Sequence, residues 1–205
     1  MSATALFDAL FRGSVPFTVR HTTGAEQHFD PAAWCRDDLP GDETLLARCT
    51  GPTLDVGCGP GRLAGALARA GQPALGIDIS GAAVHLARRR GATAMRRDVF
   101  GPLPGIGRWR HVLLADGNIG IGGDPVRLLR RCRRLVSAGG RVHVEAAAPG
   151  SRAWSGPAVV RGGVTELRWA CVPVDDLPAL AVAAALRPLE TWTEAGRWFV
   201  TLTSG

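Results

Sequence analysis

A glycine-rich turn constrains the fold of this 205-residue chain more than any other feature of its sequence. Residues 53–56 fit a short buried strand, and Gly57-Cys-Gly-Pro-Gly61 follows directly, before a stretch with helical spacing. Glycine adopts backbone angles that other residues avoid and lets a ligand approach the main chain. The first turn of the following helix offers free N–H groups and a partial positive charge. The pattern therefore predicts a strand–turn–helix unit that binds a ligand.

The segments after this turn alternate regularly between strands and helices. Helices are indicated by apolar residues at helical spacing and by glycine stops, and strands by short apolar runs. The predicted strands are 74–79, 92–96, 111–115 and 141–147, and the predicted helices are 62–70, 81–90 and 124–136. Continuous apolar strands that alternate with helices predict an α/β fold with a mainly parallel sheet and helices on both faces.

The regions on either side of this alternation have a different pattern. The first region predicts a helix at 3–11, a hairpin at 17–29 and a helix at 42–49. The last region predicts a hairpin of 158–161 and 164–170, a helix at 175–185, and an antiparallel hairpin of 189–193 and 197–203. We therefore divide the chain into an N-terminal lid segment, residues 1–50, and a main domain, residues 51–205.

The spacing of the glycines excludes two common nucleotide sites. The dinucleotide fingerprint needs a third glycine at the position that Arg62 occupies here, which disfavours NAD and FAD. The phosphate loop of nucleotide hydrolases needs a lysine, and this chain has none.

Two carboxylates near the turn indicate a different ligand. Asp55 lies two residues before the first glycine, where a negative charge suits a cationic or amine-bearing group. Asp78 ends the second predicted strand, where a carboxylate accepts hydrogen bonds from both hydroxyls of an unphosphorylated ribose. We expect both residues to contact the ligand.

Residues 53–147 resemble the cofactor half of the class I S-adenosylmethionine-dependent methyltransferases. The segments that carry the resemblance are Leu54-Asp-Val-Gly-Cys-Gly-Pro-Gly61, Gly76-Ile-Asp-Ile-Ser80, Arg97-Asp98-Val-Phe100, His111-Val-Leu-Leu-Ala-Asp-Gly-Asn118 and residues 128–145. The resemblance implies a Rossmann-like fold with a mostly parallel seven-stranded sheet, an antiparallel last strand from the final hairpin, and helices on both faces.

The same resemblance implies S-adenosylmethionine as the cofactor. It implies that the three glycines approach the methionine part and the nucleoside, that Asp78 holds the ribose and that Ile79 packs on the adenine. It also places the residues that follow the third strand at the adenine edge. The residues that follow the fourth strand would lie near the methionine end. The residues assigned in this way are Gly57, Gly59, Gly61, Asp78, Ile79, Asp98, Val99 and Asp116.

Three residues are candidates for catalysis. Methyl transfer needs alignment of the reactants, and a general base where a hydroxyl or amine must lose a proton. The resemblance places Asp116 and Asn118 near the reaction centre, although Asp-Gly-Asn is also common turn chemistry. His21 lies in the lid hairpin, where it either faces the acceptor or faces solvent. We expect no metal, and we expect Trp34 or Trp154 to contact the acceptor.

The charge of the chain bears on its partners. All 24 basic residues are arginine, and the net charge is +6. Excess positive charge favours nucleic acid as a partner. However, the spacing predicts that arginines 127, 130, 131, 133 and 134 lie mainly on the outer face of one helix, and no arginine run is interleaved with aromatic residues for base stacking. We therefore do not expect a nucleic-acid partner.

The resemblance implies methyl transfer as the activity, and we expect a small organic acceptor because the additions to the core are modest. No apolar run approaches the roughly 18 residues that a membrane helix needs, and no secretory signal is visible, so we expect a cytoplasmic protein. The main alternative is an S-adenosylmethionine-binding protein of the same fold that does not methylate. A nicotinamide-dependent oxidoreductase and a nucleic-acid methyltransferase are less favoured. The oligomeric state stays open.

Overall fold

The glycine turn joins a buried strand to a helix in the computed structural model, which describes residues 2–13, 17–160 and 166–204. Helices in the described part are α1 (Ala3–Gly13), α2 (Pro31–Trp34), α3 (Asp42–Leu46), α4 (Arg62–Arg69), α5 (Gly81–Arg89), α6 (Pro125–Leu135) and α7 (Leu177–Ala183). Its strands are β1 (Phe17–His21), β2 (Glu26–Phe29), β3 (Thr53–Val56), β4 (Ala74–Asp78), β5 (Ala94–Arg96), β6 (Trp109–Leu114), β7 (Val136–Ala146), β8 (Trp154–Val160), β9 (Glu166–Cys171), β10 (Arg187–Glu194) and β11 (Arg197–Thr203).

Seven of these strands form one sheet in the order β10-β11-β7-β6-β3-β4-β5. Neighbours from β7 to β5 are parallel, whereas β11 is antiparallel to both β7 and β10. Apolar side chains of the sheet are fully buried beneath α6 and α7 and form the main core, because parallel strands need cover on both faces. The predicted α/β fold, with its parallel sheet and reversed last strand, is confirmed.

Four further strands form a second sheet in the order β2-β1-β8-β9. All its pairs are antiparallel, and β1 pairs with β8 through Val19 and Val160. The hairpin predicted at 17–29 therefore has its expected strands, whereas the hairpin predicted from 158–161 and 164–170 has strands 154–160 and 166–171. The turn predicted at Gly162-Gly163 lies outside the described residues. Strands from both sides of the expected boundary at residue 50 thus share one sheet.

Local capping explains where several helices begin. The Ser80 hydroxyl accepts a hydrogen bond from the Ala83 N–H, as expected for an N-cap, and Asp124 caps α6 through the Arg127 N–H. Helix α6 ends at Leu135, and β7 starts at the next residue rather than after the glycine pair at 139–140. In the part of the chain that the structure covers, no helix has the length and apolar character needed to cross a bilayer.

Candidate functional site

A cavity of about 370 Å³ lies between the two sheets, at the carboxyl ends of β3, β4 and β6. Parallel strands bring their carboxyl ends to one edge of a sheet, which is where ligands bind in open α/β folds. The wall from the seven-stranded sheet combines loop backbone and polar side chains with apolar residues such as Val56 and Ile77. The opposite wall consists of apolar and aromatic side chains from α1, α2 and the four-stranded sheet, among them Phe7, Phe11, Phe17, Val19, Phe29, Trp34, Leu167 and Trp169.

The glycine turn forms the floor of this cavity. Gly57 and Gly59 line it with positive φ angles of 70° and 52°, which favour glycine. The Asn118 amide donates hydrogen bonds to the carbonyl oxygens of Val56 and Gly57, at 2.9 and 3.0 Å. Asn118 therefore holds the turn in place as well as lining the cavity. A Cβ atom on Gly61 would lie 2.7 Å from the Ala87 Cβ, so this glycine allows α4 to approach α5.

Asp78 is placed as predicted, at the end of β4 and on the cavity wall. Its Oδ2 accepts a hydrogen bond from the Gly59 N–H at 3.0 Å, and its Oδ1 accepts one from the Ser80 N–H at 2.8 Å. Burial raises the pKa of this carboxyl group, and the two N–H donors oppose the rise. A carboxylate has about four acceptor positions. Asp78 therefore retains capacity for two further hydrogen bonds, and Ile79 lies beside it on the wall.

The loop after β5 brings Asp98 and Val99 to the same cavity. The Asp98 carboxylate accepts a hydrogen bond from the Phe100 N–H at 2.9 Å, which shapes the loop. Arg131 also holds this loop in place, because its guanidinium donates hydrogen bonds to the carbonyl oxygens of Val99 and Gly101 at 2.8 and 2.6 Å. Arg131 is 8% exposed, so its predicted position on the outer helix face is wrong. Helical spacing alone gave no sign of this loop contact.

Asp55 is almost fully buried between the glycine turn and α4. Its Oδ2 accepts a hydrogen bond from the Ala64 N–H at 3.2 Å. Burial raises the pKa of Asp55 to about 7, and the nearby Asp116 carboxylate adds to the rise. A positively charged neighbour stabilises the ionised form of such a buried carboxyl group. The site is therefore suited to an ammonium or another cation at this point.

A network of buried charges lies next to Asp55. Arg62, which is 4% exposed, donates hydrogen bonds to Asp42 of α3 and to Asp116, the latter at 2.5 Å. Arg197 of β11 donates to Asp42 at 2.8 Å and to both carboxylate oxygens of Glu145, at 2.9 and 2.8 Å. Glu145 in turn accepts the Asp116 N–H at 2.7 Å. Two guanidinium groups thus balance most of the charge of three carboxylates.

Asp116 is the point at which this network meets the cavity. Its φ is 53°, a conformation uncommon outside glycine, although aspartate tolerates it better than most residues. Burial raises its pKa, and Arg62 and Arg197 oppose the rise. Sequence reasoning treated Arg62 only as evidence against a dinucleotide and gave Arg197 no role. An arginine at the first position of the helix that follows a glycine turn is the sequence signal that could have identified Arg62.

A second cavity of about 330 Å³ lies on the other side of Asp116. Phe29, Trp34 and Asp116 line both cavities. Glu145 and Arg197 line the second cavity but not the first. The two cavities are therefore neighbours that meet at Asp116.

The structure does not bring the third catalytic candidate to this place. His21 lines neither cavity, and its ring stacks on Trp154 with centroids 5.1 Å apart. Its Nδ1 shares a hydrogen bond with the Thr23 hydroxyl at 2.9 Å. Trp154 also lines neither cavity, whereas Trp34 lines both. Asp116 and Asn118 are thus close together at the cavity, and His21 is separate from them.

One buried cluster elsewhere has the composition of a metal site. The possible ligand atoms of Cys49, His111 and His143 lie within 4.8 Å of one another. The ring nitrogens are already engaged, because His111 accepts the Thr50 N–H, the two rings share a hydrogen bond of 3.0 Å, and His143 bonds the Thr201 hydroxyl. The Thr50 donor requires the neutral tautomer of His111 with its proton on Nδ1. The two histidines thus form a chain of neutral groups in the core whose ring nitrogens all have hydrogen-bond partners.

Comparison with known proteins agrees with this geometry. A sequence profile of the family described as a methyltransferase domain matches residues 53–140. An uncharacterized 37.1 kDa protein in a transposon of Streptomyces fradiae is 34% identical over 112 residues, which are 49% of this chain and 31% of that protein. The matched region therefore spans about a third of the length of this relative.

Solved structures share the fold across most of the chain. A methyltransferase from Bacteroides fragilis, in complex with S-adenosyl-L-homocysteine, superposes with a TM-score of 0.77 at 21% identity, over 98% of this chain and 94% of that one. A 1,6-didemethyltoxoflavin-N1-methyltransferase from Burkholderia thailandensis has a TM-score of 0.61 at 18% identity, over 85% and 79%. A sugar N-methyltransferase from Streptoalloteichus has a TM-score of 0.60 at 19% identity, over 85% and 87%. The resemblance predicted from the motifs is confirmed: residues 53–140 match the methyltransferase-domain family, and the chain has the class I, Rossmann-like fold.

Proposed function

We propose that the protein transfers a methyl group from S-adenosylmethionine to a small organic acceptor. The observation that carries the proposal is Asp78. Its carboxylate lies at the end of β4 on the wall of the cavity, next to the bare backbone of Gly59, and it has acceptor positions left for a ribose diol. Solved structures of the same fold that hold S-adenosylhomocysteine or S-adenosylmethionine support this choice of cofactor.

The described residues fit the cofactor at both of its ends. Asp78 and Ile79 would hold the ribose and the adenine face, and the loop of Asp98 and Val99 would meet the adenine edge. Asp55 would attract the ammonium group of the methionine part, for the electrostatic reason given above.

Arg62 fits the carboxylate of the methionine part. It lines the cavity, and its buried Nε–H has no hydrogen-bond partner among the described residues. A buried donor without a partner costs about 1–3 kcal/mol, which an anionic ligand group would relieve. The fit therefore rests on an unmet hydrogen bond as well as on charge.

The chemistry divides between cofactor and protein. The bound sulfonium supplies an activated methyl group, so the protein has mainly to align the acceptor and keep water out. The aromatic wall excludes water, and Asn118 keeps the glycine turn in its binding conformation. Asp116 is held by Arg62 and Glu145 and presents its carboxylate to the place where the two cavities meet. We propose Asp116 as the residue that orients the acceptor.

The N-terminal segment contributes to closure. Residues 1–50 supply α1, whose Phe11 ring lies 3.5 Å from the position of a Cβ on Gly59, together with half of the four-stranded sheet. We propose that this segment acts as a lid over the cofactor. A cavity set between lid and sheet favours a small acceptor, since a macromolecule would need a broad exposed surface.

Calorimetry and a transfer assay test the proposal together. We expect the full chain to release or absorb heat with S-adenosylmethionine and S-adenosylhomocysteine, and to convert the first into the second with one member of a panel of phenols, amines and nitrogen heterocycles. No heat with either compound, on well-folded protein, would contradict the cofactor assignment. Methylation of RNA or protein but of no small molecule would contradict the acceptor class.

A further inference from the structure

We infer that the acceptor is a planar aromatic molecule, which binds at the end of the first cavity formed by Phe17, Phe29, Trp34 and Trp169. We call these four residues the aromatic end. The inference rests on the proposed function, since it names the class of the acceptor. It is argued from ring geometry, position and charge in the described residues.

The rings of the aromatic end belong to four separate elements and contact one another. Phe17 of β1 and Phe29 of β2 are stacked, with centroids 5.1 Å apart and an interplanar angle of 16°. Trp34, at the end of α2, lies 6.2 Å from Phe17 at 71° and 5.9 Å from Phe29 at 55°. Trp169 of β9 meets Phe29 edge-on at 5.7 Å and 90°. Both faces and edges of rings are thus present in one wall.

This arrangement favours a flat ring over a saturated one. Aromatic pairs gain from offset stacking or edge-to-face contact at centroid distances of 4.5–7 Å, because the ring face is negative and the ring edge is positive. A planar ligand can use both kinds of contact with walls of mixed orientation. A saturated ring of similar size has neither a π face nor a polarised edge, so it gains only from burial.

The aromatic end lies where the acceptor must be if Asp116 orients it. Phe29 and Trp34 line both cavities, as Asp116 does. The residues proposed for adenosine, Asp78 and Val99, line only the first cavity. The cavity therefore has an adenosine side and an Asp116 side, and the aromatic end belongs to the latter. The second cavity offers the acceptor an approach that does not pass the cofactor.

The charge around this end favours a neutral ligand. Asp116 is the carboxylate that borders the aromatic end, and Arg62 pairs with it at 2.5 Å while Arg197 lies 3.5 Å away. A cation would have to compete with two guanidinium groups for this carboxylate. A neutral ring that carries a hydroxyl or an N–H group has no such competition, and it can donate one hydrogen bond to Asp116.

A matched pair of probes tests the inference. 2-Naphthol and decahydro-2-naphthol share a skeleton and a hydroxyl, but only the first is planar and aromatic. Titrations of the full chain, with and without S-adenosylhomocysteine, are expected to give at least tenfold tighter binding for 2-naphthol. Equal affinity for the two probes, or no binding of 2-naphthol at millimolar concentration, would overturn the inference.

Variants locate the binding. Trp34→Leu is expected to weaken 2-naphthol about tenfold while S-adenosylhomocysteine affinity stays within twofold of wild type. Phe17→Leu is a second variant, used if the first fails to fold. Trp154→Leu is the control, because this buried tryptophan lines neither cavity, and it should leave 2-naphthol affinity unchanged. Wild-type affinity for 2-naphthol in Trp34→Leu would overturn the assignment.

Failure of S-adenosylhomocysteine to bind wild-type protein would instead contradict the proposed function. The titrations of 2-naphthol without S-adenosylhomocysteine would still test whether the aromatic end binds a planar ring.

Discussion

The two sheets bring different kinds of groups to one cavity. The seven-stranded sheet contributes strand ends, a glycine turn and buried carboxylates, all at or next to the carboxyl ends of parallel strands. The four-stranded sheet and its helices contribute aromatic rings from segments more than 130 residues apart, because β1 pairs with β8. The first kind of wall is suited to a polar ligand with several hydrogen-bonding groups. The second is suited to an apolar one.

The two regions meet at a few specific contacts. Asp42 of the N-terminal segment pairs with Arg62 and Arg197. Asp8 of α1 accepts hydrogen bonds from the Ser80 hydroxyl and the Ala82 N–H, at 2.6 and 3.0 Å. The difference between the walls therefore predicts that changes at the contacts, in the polar wall and in the remote core will have separable effects.

The largest effect is expected at the charged contact. Arg62→Met removes one of the two guanidinium groups that pair with Asp42 and Asp116 and leaves only Arg197, so the free energy of unfolding should fall by about 3–5 kcal/mol, measured by urea denaturation. The control is Arg48→Met, which removes a more exposed pair with Glu190 and should cost no more than about 1 kcal/mol. An equal loss of unfolding free energy in the two variants would show that the buried ion pairs between the regions stabilise the fold no more than an exposed pair does.

The polar wall is tested by Asp78→Ala. Loss of two charge-assisted hydrogen bonds to the ribose should weaken S-adenosylhomocysteine binding about 100-fold or more, measured by calorimetry. The 2-naphthol affinity should change little, because the aromatic end lies on the other side of the cavity. The control is Asp124→Ala, which removes a cap of α6 and should keep wild-type affinity for the cofactor product. Unchanged affinity in Asp78→Ala would refute the ribose assignment.

The histidine chain tests the core of the seven-stranded sheet away from the cavity. Burial lowers the pKa of His111 to about 4 and that of His143 to about 3, below the ordinary value of 6.5. Between the folded and the ordinary pKa values, the unfolded chain therefore binds more protons than the folded chain. The contribution of the pair to the free energy of unfolding falls as pH drops below about 6.5.

His143→Gln isolates this contribution, since glutamine can both accept from His111 and donate to Thr201 but does not titrate. Between pH 7 and 4.5 the variant should lose on the order of 2 kcal/mol less stability than wild type, by urea denaturation at each pH. Comparison with wild type is essential, because Asp55, with a pKa raised to about 7, gives a slope of the opposite sign over this range. The control is His85→Gln on an exposed position of α5, and a wild-type slope in His143→Gln would contradict the prediction.

The smallest effect is expected at the contact of α1. Asp8→Ala removes acceptors at the start of α5, which should cost about 1 kcal/mol and release α1 from Ser80. Faster amide exchange confined to α1, with the seven-stranded sheet unchanged, is the expected result by mass spectrometry. Asp98→Ala is a comparison variant, since its hydrogen bond stays within its own loop. Faster exchange throughout the sheet would show that lid and sheet unfold as one unit.

Sequence alone predicted the parts of the site that depend on neighbouring residues. Gly57 and Gly59 have the positive φ angles that the turn requires, and Asp78 and Asp98 lie at strand ends that parallel pairing must bring to one edge. The family resemblance, and not strand order, placed Asp116 and Asn118 at the reaction centre. The positions of the glycine turn and Asp78 needed only the order of the elements, because the carboxyl ends of parallel strands coincide whatever the details of packing.

Only the tertiary structure decided which distant side chains complete the site. The pairing of β1 with β8 directs Trp34 and Trp169 to the cavity while His21 stacks on Trp154 outside it. Helical spacing likewise could not reveal that Arg131 reaches back to a loop. Local sequence sets backbone conformation over a few residues, whereas the direction of a side chain and its partner depend on how two sheets, formed from separate parts of the chain, pack against each other.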